Sequence, residues 1–260
     1  MPKTTKRQMH DHSPAAIADR LAAGPGRVYL KDFVYGAIDG AVTTLAVVSG
    51  VAGGGLASSV IIVLGLANIF ADGFSMAISN YLGTRAESQR LQSVRAREEG
   101  HIDVDPDGER EEVRQIYARK GFSGQQLEEV VGVITSERKR WVDAMVQEEY
   151  GLSLQDVNAG MAGLVTFIAF LLSGSLPLIP FLLNWWREGL IADPYSLSIG
   201  ITMLAFFVVG AMKGRYVEQS WYRSGLETAV VGGIAALLAY GVGLLLGIWL
   251  PRFSHTRELR

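Results

Sequence analysis

Two aspartates lie in sequence that is otherwise apolar. Residues 40–71 contain no charged residue, and Asp39 and Asp72 stand at the two ends of this run. A carboxylate at membrane depth is costly unless it faces a polar pathway, so such residues are typical of ion or proton handling. The alternative is a structural aspartate that hydrogen-bonds to a neighbouring helix. The sequence favours ion handling because further polar residues recur beside both aspartates.

These polar residues follow helical spacing. One face of the second apolar segment carries two amides, a carboxylate and a thioether at intervals of four residues: Asn68, Asp72, Met76 and Asn80. The first segment has a similar face with Asp32, Tyr35, Asp39 and Thr43. We expect Asp39 and Met76 to lie at equal depth and to meet across the helix pair. A carboxylate beside a thioether favours borderline transition metals over Na⁺ or K⁺. The predicted transport path therefore comprises Asp39, Met76, Asp72, Asn68 and Thr43.

A second set of candidate ligands lies in the acidic segment, which we define as residues 84–157. It contains 16 of the 26 acidic residues of the chain. Three pairs have helical spacing, namely Glu98 with His101, Glu109 with Glu112, and Met145 with Glu149. Each pair would present both side chains on one helix face, as shared metal coordination requires. For any single pair, a solvated charged helix is the alternative.

Five apolar segments are predicted to position these residues. Each is long enough to cross about 30 Å of hydrocarbon as a helix and nearly free of charge: residues 33–52, 57–83, 158–183, 195–212 and 226–250. The first two form a hairpin that turns at Gly53-Gly54-Gly55. We expect an all-α membrane protein in which residues 31–83 carry spans one and two, and residues 158–250 carry spans three to five.

The acidic segment is expected to form a helical metal-binding domain inserted between spans two and three. The second span continues as a polar helix to about residue 99, where Gly100 and the turn at residues 105–108 break it. Three further helices are predicted at residues 109–120, 123–136 and 141–150. Ser123 with Gln126 resembles a capping box at the start of the second of these helices.

Basic residues orient the chain in the membrane. They cluster before span one, after span two and between spans four and five, which places the N-terminal tail (1–30) and the acidic segment in the cytoplasm. The C-terminal tail (251–260) then lies outside. The N-terminal residues are too polar for a signal peptide, and the composition favours a bacterial inner membrane over a vacuole.

Composition excludes several classes of protein. A net charge of −2 argues against a nucleic-acid partner, and the absence of cysteine excludes thiolate metal sites and thiol catalysis. Metal ligands are thereby restricted to carboxylate, imidazole and thioether. Two small-residue motifs, Gly36-xxx-Gly40 and Gly243-xxx-Gly247, would allow close helix approach and are compatible with a homodimer.

Four segments resemble the vacuolar iron transporter family. They are residues 32–40 (DFVYGAIDG), 65–76 (GLANIFADGFSM), 106–113 (PDGEREEV) and 141–152 (WVDAMVQEEYGL), and with the five spans the resemblance covers about residues 27–250. It implies a homodimeric, proton-coupled exporter that moves Fe²⁺, and often Mn²⁺, out of the cytosol. It also implies that Asp39 and Met76 line the path.

The same resemblance implies that the acidic segment binds several metal ions through Glu98, Glu109, Glu112, Met145 and Glu149. His101 stands where a glutamate is frequent in the family, and Val146 replaces the second residue of a common Met-Met pair, so the number and selectivity of these sites stay open. Fe²⁺ is the expected ion, with Mn²⁺, Co²⁺ and Zn²⁺ as further candidates.

Two other functions compete with a transporter. One is a membrane-anchored ferroxidase that uses Glu98 and His101, because Glu-x-x-His occurs in di-iron bundles, although there it normally occurs twice. The other is a membrane protein that binds or senses metal without moving it.

Overall fold

The computed structural model describes residues 11–23 and 29–254, and within these ranges the protein is helical and without strands. A short helix, α1 (Pro14–Ala23), precedes the first apolar helix, α2 (Leu30–Gly53). After a turn, α3 (Ser58–Val104) follows as a single helix of 47 residues. A helix of this length extends about 70 Å, more than twice the thickness of a bilayer core.

The five predicted spans are confirmed as helices long and apolar enough to cross a membrane. They correspond to α2, α3, residues Ala159–Trp186, α9 (Pro194–Tyr216) and α10 (Trp221–Ser254). The third candidate is not one regular helix. Two prolines divide it into α7 (Ala159–Ser175), a 3-10 turn (Leu176–Leu178) and α8 (Ile179–Trp186), since proline cannot continue the helical hydrogen-bond ladder.

Gly100 does not end α3, contrary to the sequence prediction. The helix runs to Val104, because a glycine inside a helix costs only about 1 kcal/mol relative to alanine. Pro106 is the residue that ends it, because the residue before a proline is disfavoured in helical conformation. Asp105 accordingly leaves the helical region, and its carboxylate accepts a hydrogen bond from the backbone N–H of Gly108 at 3.0 Å.

Three helices follow between the second and third spans: α4 (Pro106–Arg119), α5 (Gly124–Thr135) and α6 (Arg138–Glu148). Both α4 and α6 begin three residues earlier than predicted. The predicted capping bond at Ser123 is absent, since its side chain makes no capping hydrogen bond. These helices pack on the far end of α3 around a hydrophobic core of their own, which includes Val94, Val113, Trp141 and Val142.

The two glycine motifs serve packing within the chain. A Cβ at Gly36 would lie 2.3 Å from the carbonyl oxygen of Thr166 on α7, and a Cβ at Gly243 would lie 2.1 Å from that of Gly50 on α2. Both positions therefore require glycine so that two helices of one chain can touch. The motifs consequently offer no free surface for a second copy of the chain.

Candidate metal-binding site and polar helix face

The turn at Pro106 brings two helices together at the far end of α3. Glu98 and His101 lie one turn apart on α3, and Glu109 lies in the first turn of α4, which folds back beside them. The Nδ1 atom of His101 is 3.2 Å from Oε1 of Glu109 and 3.9 Å from Oε1 of Glu98. Among the described residues, these three side chains form a group whose ligand atoms all lie within 4.8 Å of one another.

Burial makes this group more than a charged surface. Glu98 and Glu109 are only 1% and 6% exposed, and Oε2 of each is buried without a hydrogen-bond partner. A buried carboxylate oxygen that lacks a donor is unfavourable by several kcal/mol in its ionised form, and a bound cation would compensate it. The geometry therefore fits a divalent ion held by two carboxylates and one imidazole.

Tyr150 contributes a contact that the sequence did not reveal. Its hydroxyl donates a hydrogen bond of 2.9 Å to Oε1 of Glu98, and the guanidinium of Arg97 lies over its ring. Burial and this hydrogen bond raise the pKa of Tyr150 to about 12, so the hydroxyl keeps its proton and remains a donor. The sequence signals for this residue are its position next to Glu149 and its place in the segment 141–152 that resembles the family.

The remaining acids of the group are close enough to affect its protonation. Burial, followed by the charges of Glu112 and Glu98, raises the pKa of Glu109 to about 7. Burial and the charge of Glu98 also raise the pKa of Glu149. The structure thus brings Glu98, His101, Glu109, Glu112 and Glu149 into one electrostatic group, with Glu112 and Glu149 at its exposed rim.

Met145 occupies a different environment. It is fully buried in the hydrophobic core beside Trp141, Val142 and Val146, which shows a packing role. Its function as a thioether ligand stays a prediction.

Within the spans, polar residues join three helices near the start of α2. Asn80 of α3 donates hydrogen bonds to Oδ1 of Asp32 at 2.8 Å and to Oγ1 of Thr166 on α7 at 2.7 Å. Thr166 in turn donates to the carbonyl oxygen of Ala162 at 3.0 Å. Asp32 and Asn80 were predicted as members of polar helix faces, whereas the participation of Thr166 was not foreseen.

A second hydrogen bond fixes the register of α2 and α3. The amide of Asn68 donates to the hydroxyl of Thr43 at 3.1 Å, and Thr43 donates to the carbonyl oxygen of Asp39 at 2.9 Å. Together with the Asp32–Asn80 bond, this register places Asp72 level with Asp39.

Met76 lies one helical turn from that level, towards the Asp32–Asn80 end. The expectation that Met76 is level with Asp39 is therefore corrected. The expectation compared how many residues separate Asp39 and Met76 from the cytoplasmic ends of their spans. The hydrogen bonds show that α2 and α3 are offset along their axes, so equal numbers of residues do not give equal depth.

The exposed surfaces of the spans are unequal. On α10, large apolar residues such as Leu237 (72% exposed) cover most of the surface, as expected for contact with lipid. On α3, the exposed face combines Phe70 and Phe74 with the carboxylate of Asp72 and the hydroxyl of Ser75. An aspartate on such a face is costly in hydrocarbon and requires a polar neighbour.

Five helices capable of spanning a bilayer, two carboxylates at one level of the first two spans and a buried ligand group beyond them define a multi-pass membrane protein that handles cations. Comparison with known proteins identifies the family within this class. A model of the VIT family matches residues 30–244, and the chain belongs to this family.

Curated relatives agree with this assignment. The chain is 34% identical over 225 residues to the vacuolar iron transporter of Toxoplasma gondii, with 84% of this chain and 74% of the relative covered. It is 30% identical over 215 residues to vacuolar iron transporter 1 of Eucalyptus grandis, covering 82% and 84% of the two chains. Vacuolar iron transporter 1 of Arabidopsis thaliana is 30% identical over 212 residues, with 81% and 83% covered. The predicted family membership, and a transporter rather than an enzyme, are thereby confirmed.

Proposed function

We propose that this protein exports a divalent transition-metal ion, in the first place Fe²⁺, from the cytosol in exchange for protons. The observation that carries the proposal is the pair of carboxylates, Asp39 and Asp72, which the hydrogen bonds between α2 and α3 bring to one level of two helices able to span a membrane. Relatives named vacuolar iron transporters support iron as the substrate. Mn²⁺, Co²⁺ and Zn²⁺ are further substrates to test, since carboxylate and thioether ligands accept several such ions.

The first step is capture of the ion in the acidic segment. Glu98 and Glu109 offer buried, unpaired carboxylate oxygens, and His101 offers an imidazole nitrogen beside them. Two carboxylates balance the charge of a divalent ion, and Glu112 and Glu149 add negative potential at the rim.

Capture and translocation are separate events in space. Glu98 lies roughly five turns beyond Asn80 on the same continuous helix, a distance of about 27 Å. No single side chain spans that distance, so the acidic segment acts by raising the concentration of metal near the membrane surface.

Translocation then uses the polar face shared by α2 and α3. An ion that has passed the Asp32–Asn80 level meets Met76 one turn further and the Asp39–Asp72 pair one turn beyond that. A carboxylate must lose its proton to bind metal, and it regains a proton when the metal leaves. Asp39, with Asp72 as its neighbour, therefore couples outward movement of metal to inward movement of protons.

A homodimer would complete this path. The exposed face of α3 places Asp72 and Ser75 between apolar side chains, where lipid alone would leave the carboxylate unsolvated. A second copy of the chain, packed against this face, would enclose the carboxylate in a polar interface. The glycine motifs are used within the chain, so this face is the better candidate for the interface.

The orientation follows from the distribution of charge. Basic residues precede α2 and follow the apolar part of α3, which puts the N-terminal tail and the acidic segment on the cytoplasmic side. A bacterial inner membrane as the host stays a prediction from composition.

Metal uptake by reconstituted vesicles tests the path. We expect Asp39→Asn to reduce Fe²⁺ uptake, measured anaerobically with a fluorescent indicator inside the vesicles, to the level of protein-free vesicles. Glu188→Gln, an exposed acid in the loop between α8 and α9, is the matched control and should transport like the unmodified protein. Normal transport by Asp39→Asn would contradict the proposed role of the carboxylate.

Cross-linking tests the dimer, and the absence of native cysteine makes each introduced thiol unique. Ser75→Cys on α3 should give a disulfide-linked dimer on mild oxidation in the membrane. Leu237→Cys, on the lipid-facing side of α10, should remain monomeric under the same conditions. Equal cross-linking of the two variants would reflect collision rather than a defined interface.

A further inference from the structure

His101 is the nitrogen donor in a ligand group otherwise built from carboxylates. Its Nδ1 atom lies 3.2 Å from Glu109 and faces the same small volume as Glu98. The other described histidine, His12, lies in exposed sequence before α1. The chemistry of this one side chain therefore determines whether the site contains oxygen ligands alone or a mixture of oxygen and nitrogen.

The choice of donor atoms affects which metals bind. Mg²⁺ and Ca²⁺ are hard cations that take oxygen ligands, and Mg²⁺ in particular gives up its water reluctantly. Imidazole suits Fe²⁺, Co²⁺, Ni²⁺ and Zn²⁺, which are borderline in softness. A site with oxygen ligands alone would bind either group of ions. A site in which an imidazole nitrogen joins the two carboxylates favours the borderline transition metals.

The surroundings leave His101 accessible to an ion and to water. Its side chain is 52% exposed, so Nε2 can hydrogen-bond to water while Nδ1 faces the two carboxylates. The buried Oε2 atoms of Glu98 and Glu109 have no donor of their own, so the carboxylates supply the two negative charges that a divalent ion needs.

We propose that His101 is the specificity-determining ligand of this site, selecting borderline transition-metal ions over Mg²⁺ and Ca²⁺. This inference rests on the proposed capture function and gives it a chemical basis for discrimination. The alternative is that His101 only donates a hydrogen bond to Glu109 and has no role in metal binding. The two explanations differ in whether the imidazole nitrogen contacts the ion.

Competition binding to the full-length protein in detergent tests selectivity. Calorimetry with Co²⁺ should show that a large excess of Mg²⁺ leaves the affinity of the unmodified protein nearly unchanged. His101→Gln should weaken Co²⁺ binding at least about tenfold, since removal even of a group that only orients a metal ligand costs about ten- to a hundredfold. His101→Glu should bind Co²⁺ but release it to Mg²⁺, and His12→Gln should behave like the unmodified protein.

Pulsed electron paramagnetic resonance tests contact directly. Cu²⁺ bound to the unmodified protein and to His12→Gln should show coupling to an imidazole nitrogen, and this coupling should be absent in His101→Gln. A purely structural role of the histidine would not produce that signal.

The outcomes separate this inference from the capture function. If Co²⁺ binds, but Mg²⁺ competes equally in the unmodified protein and in His101→Glu, or the nitrogen coupling is unchanged in His101→Gln, the inference is overturned while capture stands. If the unmodified protein binds no Co²⁺, both the capture function and the inference are overturned.

Discussion

Metal binding to the acidic segment should depend on pH in the neutral range because of Glu109. The perturbation is a change from pH 8 to pH 6 at constant ionic strength. Burial and the neighbouring carboxylates raise the pKa of Glu109 to about 7. The ionised fraction of such a group falls from about 0.9 to about 0.1 over this interval, and metal requires the ionised form. The expected loss of affinity is therefore about tenfold, or roughly 1.4 kcal/mol.

Calorimetric titration with Co²⁺ at pH 6, 7 and 8 measures this loss. Glu109→Gln, which cannot ionise at this position, should bind more weakly at every pH and lose the part of the dependence that is due to Glu109. His101→Gln separates the imidazole from the carboxylate, since the part of the dependence due to Glu109 should persist in it. Glu128→Gln on α5, an exposed acid, controls for the general effect of charge. Equal affinity at pH 6 and pH 8 in the unmodified protein, or an unchanged dependence in Glu109→Gln, would show that ionisation of Glu109 does not control metal binding.

Three further predictions concern the support of the metal site by Tyr150, helix packing at Gly36 and the pH dependence of stability. Tyr150→Phe removes the donor to Glu98 and should weaken Co²⁺ binding about tenfold by calorimetry, with the helical circular dichroism signal unchanged. Gly36→Ala should lower the unfolding temperature in detergent, because the added Cβ would meet the backbone of α7 and such overpacking costs about 1–3 kcal/mol. Gly200→Ala is the control and should leave the unfolding temperature unchanged, because its Cβ would meet open space. The pKa of Glu109 is about 7 in the folded protein and ordinarily 4.5, so the folded state holds a proton that the unfolded state has lost between these pH values. The metal-free protein should therefore lose stability as pH rises from 4.5 to 7. Added Co²⁺ should raise the unfolding temperature more at pH 7.5 than at pH 5.

The spans could be predicted well because hydrocarbon imposes a simple requirement. A helix that crosses it must be about 20 residues long and nearly uncharged, and both properties are visible in composition. Length and hydropathy predict a single third span, but they do not show that Pro177 and Pro180 divide it into two helices. The end of α3 was predicted at Gly100, but a glycine is tolerated inside a helix and Pro106 is the residue that ends it.

The candidate ligands were predictable as pairs but not as a group. Helical spacing places Glu98 beside His101, whereas the approach of Glu109 depends on how the chain turns at Pro106. Likewise, the contact of Tyr150 with Glu98 joins residues far apart in sequence, which periodicity cannot indicate. Whether Asp39 and Asp72 lie at the same level depends on the offset of α2 and α3 along their axes. The hydrogen bonds between the two helices show this offset, and the sequence alone does not.

Coupled flux in vesicles tests whether the protein exchanges Fe²⁺ for protons. The protein is reconstituted with an acidic interior and a neutral exterior, and Fe²⁺ uptake and internal pH are followed together under anaerobic conditions. We expect the acidic interior to accelerate Fe²⁺ uptake and to become more alkaline as Fe²⁺ enters. Uptake no faster than in protein-free vesicles would contradict metal transport, and uptake that neither responds to the gradient nor changes the internal pH would contradict exchange for protons.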